Sequence, residues 1–156
     1  MTKKTFSILF VTLLSVTLNY PSAFSQERQI IQKQIKTSTA SVNAPFSQAI
    51  EVNGFVFLSG ILGVDSNTGT FAGNNVVSQL EQIVKNITEV LKEAGCTIND
   101  VVKATVFLTD MKDYAAMNEA YMRLFRVPYP ARTCVEVSAL PREGALIEIE
   151  VIAVKR

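Results

Sequence analysis

The chain divides into segments by the rhythm of its apolar positions. From Phe6 to Leu18 apolar residues run almost unbroken, interrupted only by Ser and Thr. Lys3 and Lys4 precede this run, and Ala23-Phe24-Ser25 follows with small residues at the two positions a signal peptidase reads. The pattern predicts a signal peptide over residues 1–25, cleaved before Gln26. The run is too short for a spanning helix, which takes roughly 20 apolar residues. The expectation is export to the periplasm or the medium, with no membrane attachment after cleavage.

Beyond a lead-in that includes a first short strand (residues 26–36), the rest of the chain (37–156) has the length of one domain. Thr37–Pro45 is a polar loop. Phe46–Val52 and Gly54–Leu62 are apolar runs around Asn53-Gly54, a strong hairpin signal because both residues tolerate positive φ. Asp65–Gly69 is a second turn. Val76, Leu80, Ile83, Ile87, Leu91 and Ala94 repeat at three- and four-residue steps, predicting a helix over 76–94 with Gly95 as its stop. Gln79, Gln82, Lys85, Glu89 and Lys92 fall on its other side. Val101–Leu108 reads as a strand, and Asp110 or Asp113 can cap a second helix through Phe125 with Tyr114, Met117, Tyr121 and Leu124 on one face. The prolines of Val127–Pro130 force extended chain. Arg132–Val137 and Leu146–Val154 close the domain as strands, the turn 142–145 reading as a hairpin between them.

Two helices can cover only one face of such a sheet, so the other face needs a cover, and a symmetric oligomer supplies one. Alternation sorts the closing strands. Arg132, Cys134 and Glu136 share one side of their strand, and Thr133, Val135 and Val137 the other. In the last strand Leu146, Glu148, Glu150, Ile152 and Val154 oppose Ile147, Ile149, Val151 and Ala153. The sets carrying charge are expected on an interface that holds a polar pocket, the others in the core.

Composition narrows the chemistry. The chain has no His, which excludes His-based triads and the usual zinc sites within one copy. Without residues 1–25 it carries 13 basic and 14 acidic residues, a net charge of −1 with the basic residues scattered, so no nucleic-acid partner is expected. Cys96 and Cys134 read as two free thiols. Arg132 suits a carboxylate ligand through its planar donor fork, and Glu148 is a carboxylate able to orient or activate water. As plain surface charges the same residues would contribute only ~0–1 kcal/mol per pair.

Several motifs then fall into one order. Ala44-Pro45-Phe46-Ser47-Gln48-Ala49, Asn53-Gly54 through Ser59-Gly60, Asp100-Val101-Val102-Lys103 through Asp110-Met111, Asn118-Glu119-Ala120-Tyr121, Tyr129-Pro130-Ala131-Arg132-Thr133-Cys134-Val135-Glu136-Val137 and Ile147–Ala153 together resemble the RidA (YjgF) family over about residues 37–156. The resemblance implies an α+β, chorismate-mutase-like two-layer sandwich, a mixed sheet with two helices on one face, assembled as a homotrimer with a cleft at each subunit interface. It implies hydrolysis of reactive 2-imino or enamine acids to 2-keto acids and ammonia, with no cofactor and no metal. By position Arg132 is the substrate-carboxylate Arg and Glu148 the pocket carboxylate. Gly60 and Cys134 supply backbone groups, with Ser59, Phe46 and Asn118 near the substrate. Phe46 stands where the family has Tyr, and Ile61 where many members have Gln. Both changes make the site less polar and keep a non-catalytic ligand-binding or chaperone-like role open as the alternative.

Overall fold

The computed structural model describes residues 30–40 and 43–156. The expected signal segment and its cleavage point lie outside them. Strands β1 (Lys33–Ile35), β2 (Ala49–Val52), β3 (Phe55–Leu58) and β4 (Ile61–Leu62) lead into helix α1 (Val76–Glu93). Then follow β5 (Val101–Leu108), α2 (Tyr114–Leu124), β6 (Ala131–Glu136) and β7 (Ile147–Val154). The result is a mixed sheet with two helices, as expected.

Local sequence explains the boundaries. Asn53 and Gly54 both take positive φ (51° and 81°), the geometry that lets a two-residue loop follow strand twist, so β2 and β3 pair from Val52↔Phe55 outward. The Asn75 side chain accepts from the Ser78 N–H at 2.9 Å and starts α1, and Gly95 follows its C-cap. All six stripe residues of α1 are buried, Leu80, Ile83, Ile87 and Leu91 completely. Each such aliphatic side chain contributes roughly 1.5–3 kcal/mol relative to exposure. Asp110 caps a short 3-10 turn by accepting from the Lys112 N–H, and α2 begins directly after it.

The sheet runs β1-β2-β3-β7-β5-β6, with β4 also on β7. The two closing strands therefore do not form a hairpin: β5 lies between them, antiparallel to β7 and parallel to β6. A strand–helix–strand unit demands this, because α2 carries the chain back to the starting end of β5 and so makes β6 parallel.

That pairing also corrects the facing of β6. Arg132 lies beside Ala104 and Cys134 beside Val106, both fully buried under the helices, whereas Thr133 and Val135 lie beside Thr105 and Phe107 on the open side. In β7, Ile147, Ile149, Val151 and Ala153 are buried, and Glu148 and Glu150 pair with Phe107 and Thr105 on the open side, as expected. Apolar character misreports β6 because it is an edge strand. Its helix side is covered by the aromatic and polar flank of α2 rather than by core aliphatics.

Gln79 is a second correction. Expected on the exposed side of α1, it is fully buried and completely hydrogen-bonded. Its Nε2 donates to the carbonyls of Gly73 (3.2 Å) and Gly144 (2.9 Å), and its Oε1 accepts from the Leu146 N–H (2.9 Å). Asn86, two turns on, donates to the carbonyls of Leu62 and Val64. These two amides fasten the entry to β7 and the short strand β4 to α1. Gln79→Ala removes the partner of three peptide groups, those of Gly73, Gly144 and Leu146, and opens a cavity at a fully buried position. Urea denaturation is expected to show a loss of about 2–4 kcal/mol, well beyond that of an exposed Gln82→Ala.

Candidate active site

Arg132 enters from the edge strand β6 and is received by one face of α2. Tyr114, Met117, Asn118 and Tyr121 stand at i, i+3, i+4 and i+7, so the helix period aligns them on one side. Nη2 of Arg132 donates to Asn118 Oδ1 at 2.6 Å and Nη1 approaches Met117 Sδ at 3.8 Å. The guanidinium carbon lies over the Tyr121 ring, 4.6 Å from its centroid, and 6.0 Å from that of Tyr114. Tyr121 is itself buried and stacked on Phe125 with centroids 4.1 Å apart. Among the described residues its hydroxyl has no hydrogen-bond partner, and burial pushes its pKa up to about 12 despite the nearby Arg132 charge. Among the described residues no carboxylate pairs with Arg132. Two of its five N–H groups are engaged, which leaves donors for an incoming anion.

Cys134 lies two residues on, on the same side of β6. Burial raises its thiol pKa, against a smaller opposing pull from Arg132. The thiol therefore stays protonated and is a poor nucleophile. Cys96 is also a free thiol, raised chiefly by burial.

The other expected residues gather elsewhere. Glu148 lies on the open side of β7, opposite Leu62, and its carboxylate packs directly on Gly60. A Cβ at Gly60 would fall on that carboxylate, with Cδ only 2.8 Å away, so no other residue fits without displacing it. Burial raises the pKa of Glu148, and the neighbouring Glu150 charge adds to the rise. Gly60, Ser59 and Phe46 line a cavity of about 350 Å³ between α1 and the 34–48 segment. The Ser59 hydroxyl is spent on the Ser47 carbonyl at 2.8 Å. Among the described residues no cluster of three or more His, Cys, Asp or Glu side chains could hold a metal ion.

One copy thus assembles Arg132, Asn118 and Cys134 in one place and Gly60, Glu148, Ser59 and Phe46 in another. Arg132 and Glu148 point to opposite sides of the same sheet. The supporting roles of Tyr114, Met117 and Tyr121 escaped the sequence reading, although three of the four cradle residues already lay on the predicted helix face.

Residues 36–155 match the family described as Endoribonuclease L-PSP. The chain belongs to this family, that of RidA and YjgF. It is similar to the 2-iminobutanoate/2-iminopropanoate deaminase of Mus musculus, with 44% identity over 127 residues, 81% of this chain and 93% of that protein. Among solved structures it resembles RidA from the Antarctic bacterium Psychrobacter (40% identity, TM-score 0.73, covering 78% of this chain and 98% of that one). It also resembles E. coli TdcF with bound serine (34% identity, TM-score 0.72, 80% and 99% covered). The matched region contains both groups of residues described above.

The raised pKa of Glu148 has a stability signature. Its contribution favours the fold fully below the ordinary glutamate range and is lost as pH rises through the raised value. Glu148→Gln is therefore expected to be more stable than the wild type at neutral pH and to lose that slope. Urea midpoints measured from acid to neutral pH read both effects.

Proposed function

We propose that the protein hydrolyses 2-imino and enamine acids to 2-keto acids and ammonia, at clefts formed between the copies of a homotrimer. The observation that carries the reading is Arg132: a guanidinium held rigidly by α2 with donors to spare and no carboxylate of its own. Such a group suits a substrate carboxylate, bound in a two-pronged, charge-assisted fashion. The names of the deaminase relatives and the serine bound to TdcF support an amino-acid-like ligand.

Arg132 and Glu148 cannot meet within one copy, and two features favour their meeting between copies. β6 is an edge strand whose outer row of peptide groups has no strand partner among the described residues. The open side of the sheet exposes Phe55, Phe57 and Val135 beside Phe107, Ile152 and Val154, an apolar surface of the kind subunits cover.

In such a cleft Arg132 fixes the substrate carboxylate and so orients the C=N carbon toward water beside Glu148. Water adds to that carbon while Glu148 takes one of its protons and passes it to the nitrogen, giving the carbinolamine. As the C–N bond breaks, Glu148 takes the remaining hydroxyl proton and delivers it to the same nitrogen, so that ammonia leaves and the keto acid remains. A raised pKa makes the carboxylate a stronger base, which suits a group that must both accept and release a proton. The imine is already electrophilic, so orientation is the main demand, and no cofactor is required. Residues 1–25 are proposed to direct export to the periplasm or the medium, where the N-terminus of the purified mature protein is expected at Gln26.

A second reading is ligand binding without turnover. Phe46, 62% exposed at the cavity, favours it because it offers no hydroxyl. One assay separates the two: release of keto acid from imino acids made in situ by an amino-acid oxidase, with wild-type protein and Arg132→Ala. Deamination predicts clear acceleration by the wild type and a loss of two or more orders of magnitude in kcat/KM in the variant, since the anchoring interaction is charge-assisted and orienting. A folded wild type that accelerates nothing supports the binding reading.

A further inference from the structure

The group around Arg132 is closed at one end and open at the other. Along the receiving face of α2, Tyr121 is 3% exposed and stacks on the buried Phe125, and Met117 is fully buried. Asn118 is half-buried, and Tyr114, the first residue of the helix, is 41% exposed. Solvent therefore meets the guanidinium at the Tyr114 and Asn118 end, and an anion taking up its spare donors arrives there. A carboxylate bound by both prongs of the guanidinium fills two of its roughly four acceptor positions, and the others still call for donors.

Few neighbouring side chains can supply them. The Met117 thioether is only a weak acceptor, and the thiol of Cys134, on the same side of β6 as Arg132, only a weak donor. The Tyr121 hydroxyl is enclosed by the protein, out of reach of an arriving ligand. Asn118 commits its amide oxygen to Arg132 and keeps its amide nitrogen. Tyr114 joins an uncommitted O–H to the most exposed position of the group. Both hydrogen bonds here run from Arg132, to Met117 and Asn118, and no described residue engages the Tyr114 hydroxyl. Its ring centre stands 6.0 Å from the guanidinium carbon. A carboxylate oxygen seated about 2.7–2.9 Å from the guanidinium nitrogens therefore comes alongside this phenol rather than beyond it. An exposed side chain changes rotamer within nanoseconds, so the hydroxyl is free to turn onto the ligand.

We infer that Tyr114 is a further substrate-binding residue, whose hydroxyl donates a hydrogen bond to the carboxylate anchored on Arg132. The inference rests on the deaminase reading, which puts the substrate carboxylate on Arg132, and adds a second group that holds it. The carboxylate takes no part in the bond changes at the imine carbon, so the contact is equal in the bound substrate and in the transition state. Such uniform binding lowers KM and leaves kcat unchanged. For a hydrogen bond to a charged group the expected effect is about tenfold.

The test compares wild-type protein with Tyr114→Phe, which removes only the hydroxyl of an exposed side chain, and with Tyr114→Leu, which removes the ring as well. The substrate is the imino acid generated in situ from 2-aminobutyrate by an amino-acid oxidase, and calorimetric binding of 2-oxobutanoate runs in parallel. The inference predicts that Tyr114→Phe raises both KM and the Kd for 2-oxobutanoate about tenfold, with kcat within about twofold of wild type. Unchanged constants in Tyr114→Phe overturn it, and so does a loss that falls on kcat alone. A loss seen only in Tyr114→Leu also overturns it, because the ring then acts through the guanidinium and the hydroxyl does nothing. Deamination stands in each of these cases. If a folded wild type deaminates nothing, the deaminase reading fails and the binding arm decides. Weaker binding of 2-oxobutanoate by Tyr114→Phe than by wild type then upholds the hydroxyl contact, and equal binding, or none by either, overturns it.

Discussion

Strand alternation is the constraint on which the rest depends. Arg132 and Glu148 belong to strands of one sheet, separated only by β5, and the registers put their side chains on opposite sides of it. No rotamer change brings groups on opposite faces of a packed sheet into one pocket. A chemistry that needs both groups must therefore draw them from different copies. The same alternation leaves an apolar face uncovered by helices, so the proposed assembly and the proposed shared site have one origin.

Each half is rigid before any partner arrives. On one side, the period of α2 stacks an amide, a thioether and an aromatic face against the Arg132 guanidinium, so that its loss of freedom on binding a ligand is small. On the other, the contact between Gly60 and Glu148 depends on where β4 lies along β7. Asn86 holds the backbone of β4 and the residue after the Gly63 turn, while Gln79 holds the approach to β7. Two amides on α1, Gln79 buried and Asn86 half-buried, thus fix the position of a carboxylate that neither touches. Burial of that carboxylate costs stability at neutral pH, and the same burial raises its pKa and so makes it a stronger base for the proposed proton transfer.

Much of this was legible in the chain alone. The apolar stripe of α1, the full span of Val101–Leu108 and the Asn53-Gly54 turn are local signals, and local rules decide them. The ordered motifs named Arg132, Asn118, Cys134, Gly60, Glu148, Ser59 and Phe46, which the fold sorts into two groups. Hidden were the features set by distant pairing. Gln79 reads as a surface residue because two of its three partners, Gly144 and Leu146, lie more than sixty residues away. The facing of β6 was misread because an edge strand under a polar helix flank does not display an apolar core side. One available signal, the strand–helix–strand order of β5, α2 and β6, already implied the parallel pairing that corrects it. The large cavity was invisible for a related reason: its walls come from α1, the 34–48 segment and β4, which only the tertiary fold brings together.

The most direct test of a shared site is complementation between two inactive variants, Arg132→Ala and Glu148→Gln. Each is purified alone and the two are then mixed under conditions that allow subunits to exchange. If each site takes its Arg from one copy and its Glu from the next, about a quarter of the clefts in a random mixture carry both intact groups. Deaminase activity should then rise from the background of either variant toward that fraction of wild type. Exchange confirmed by mass labelling, with activity no higher than that of the separate variants, would contradict a site built between copies.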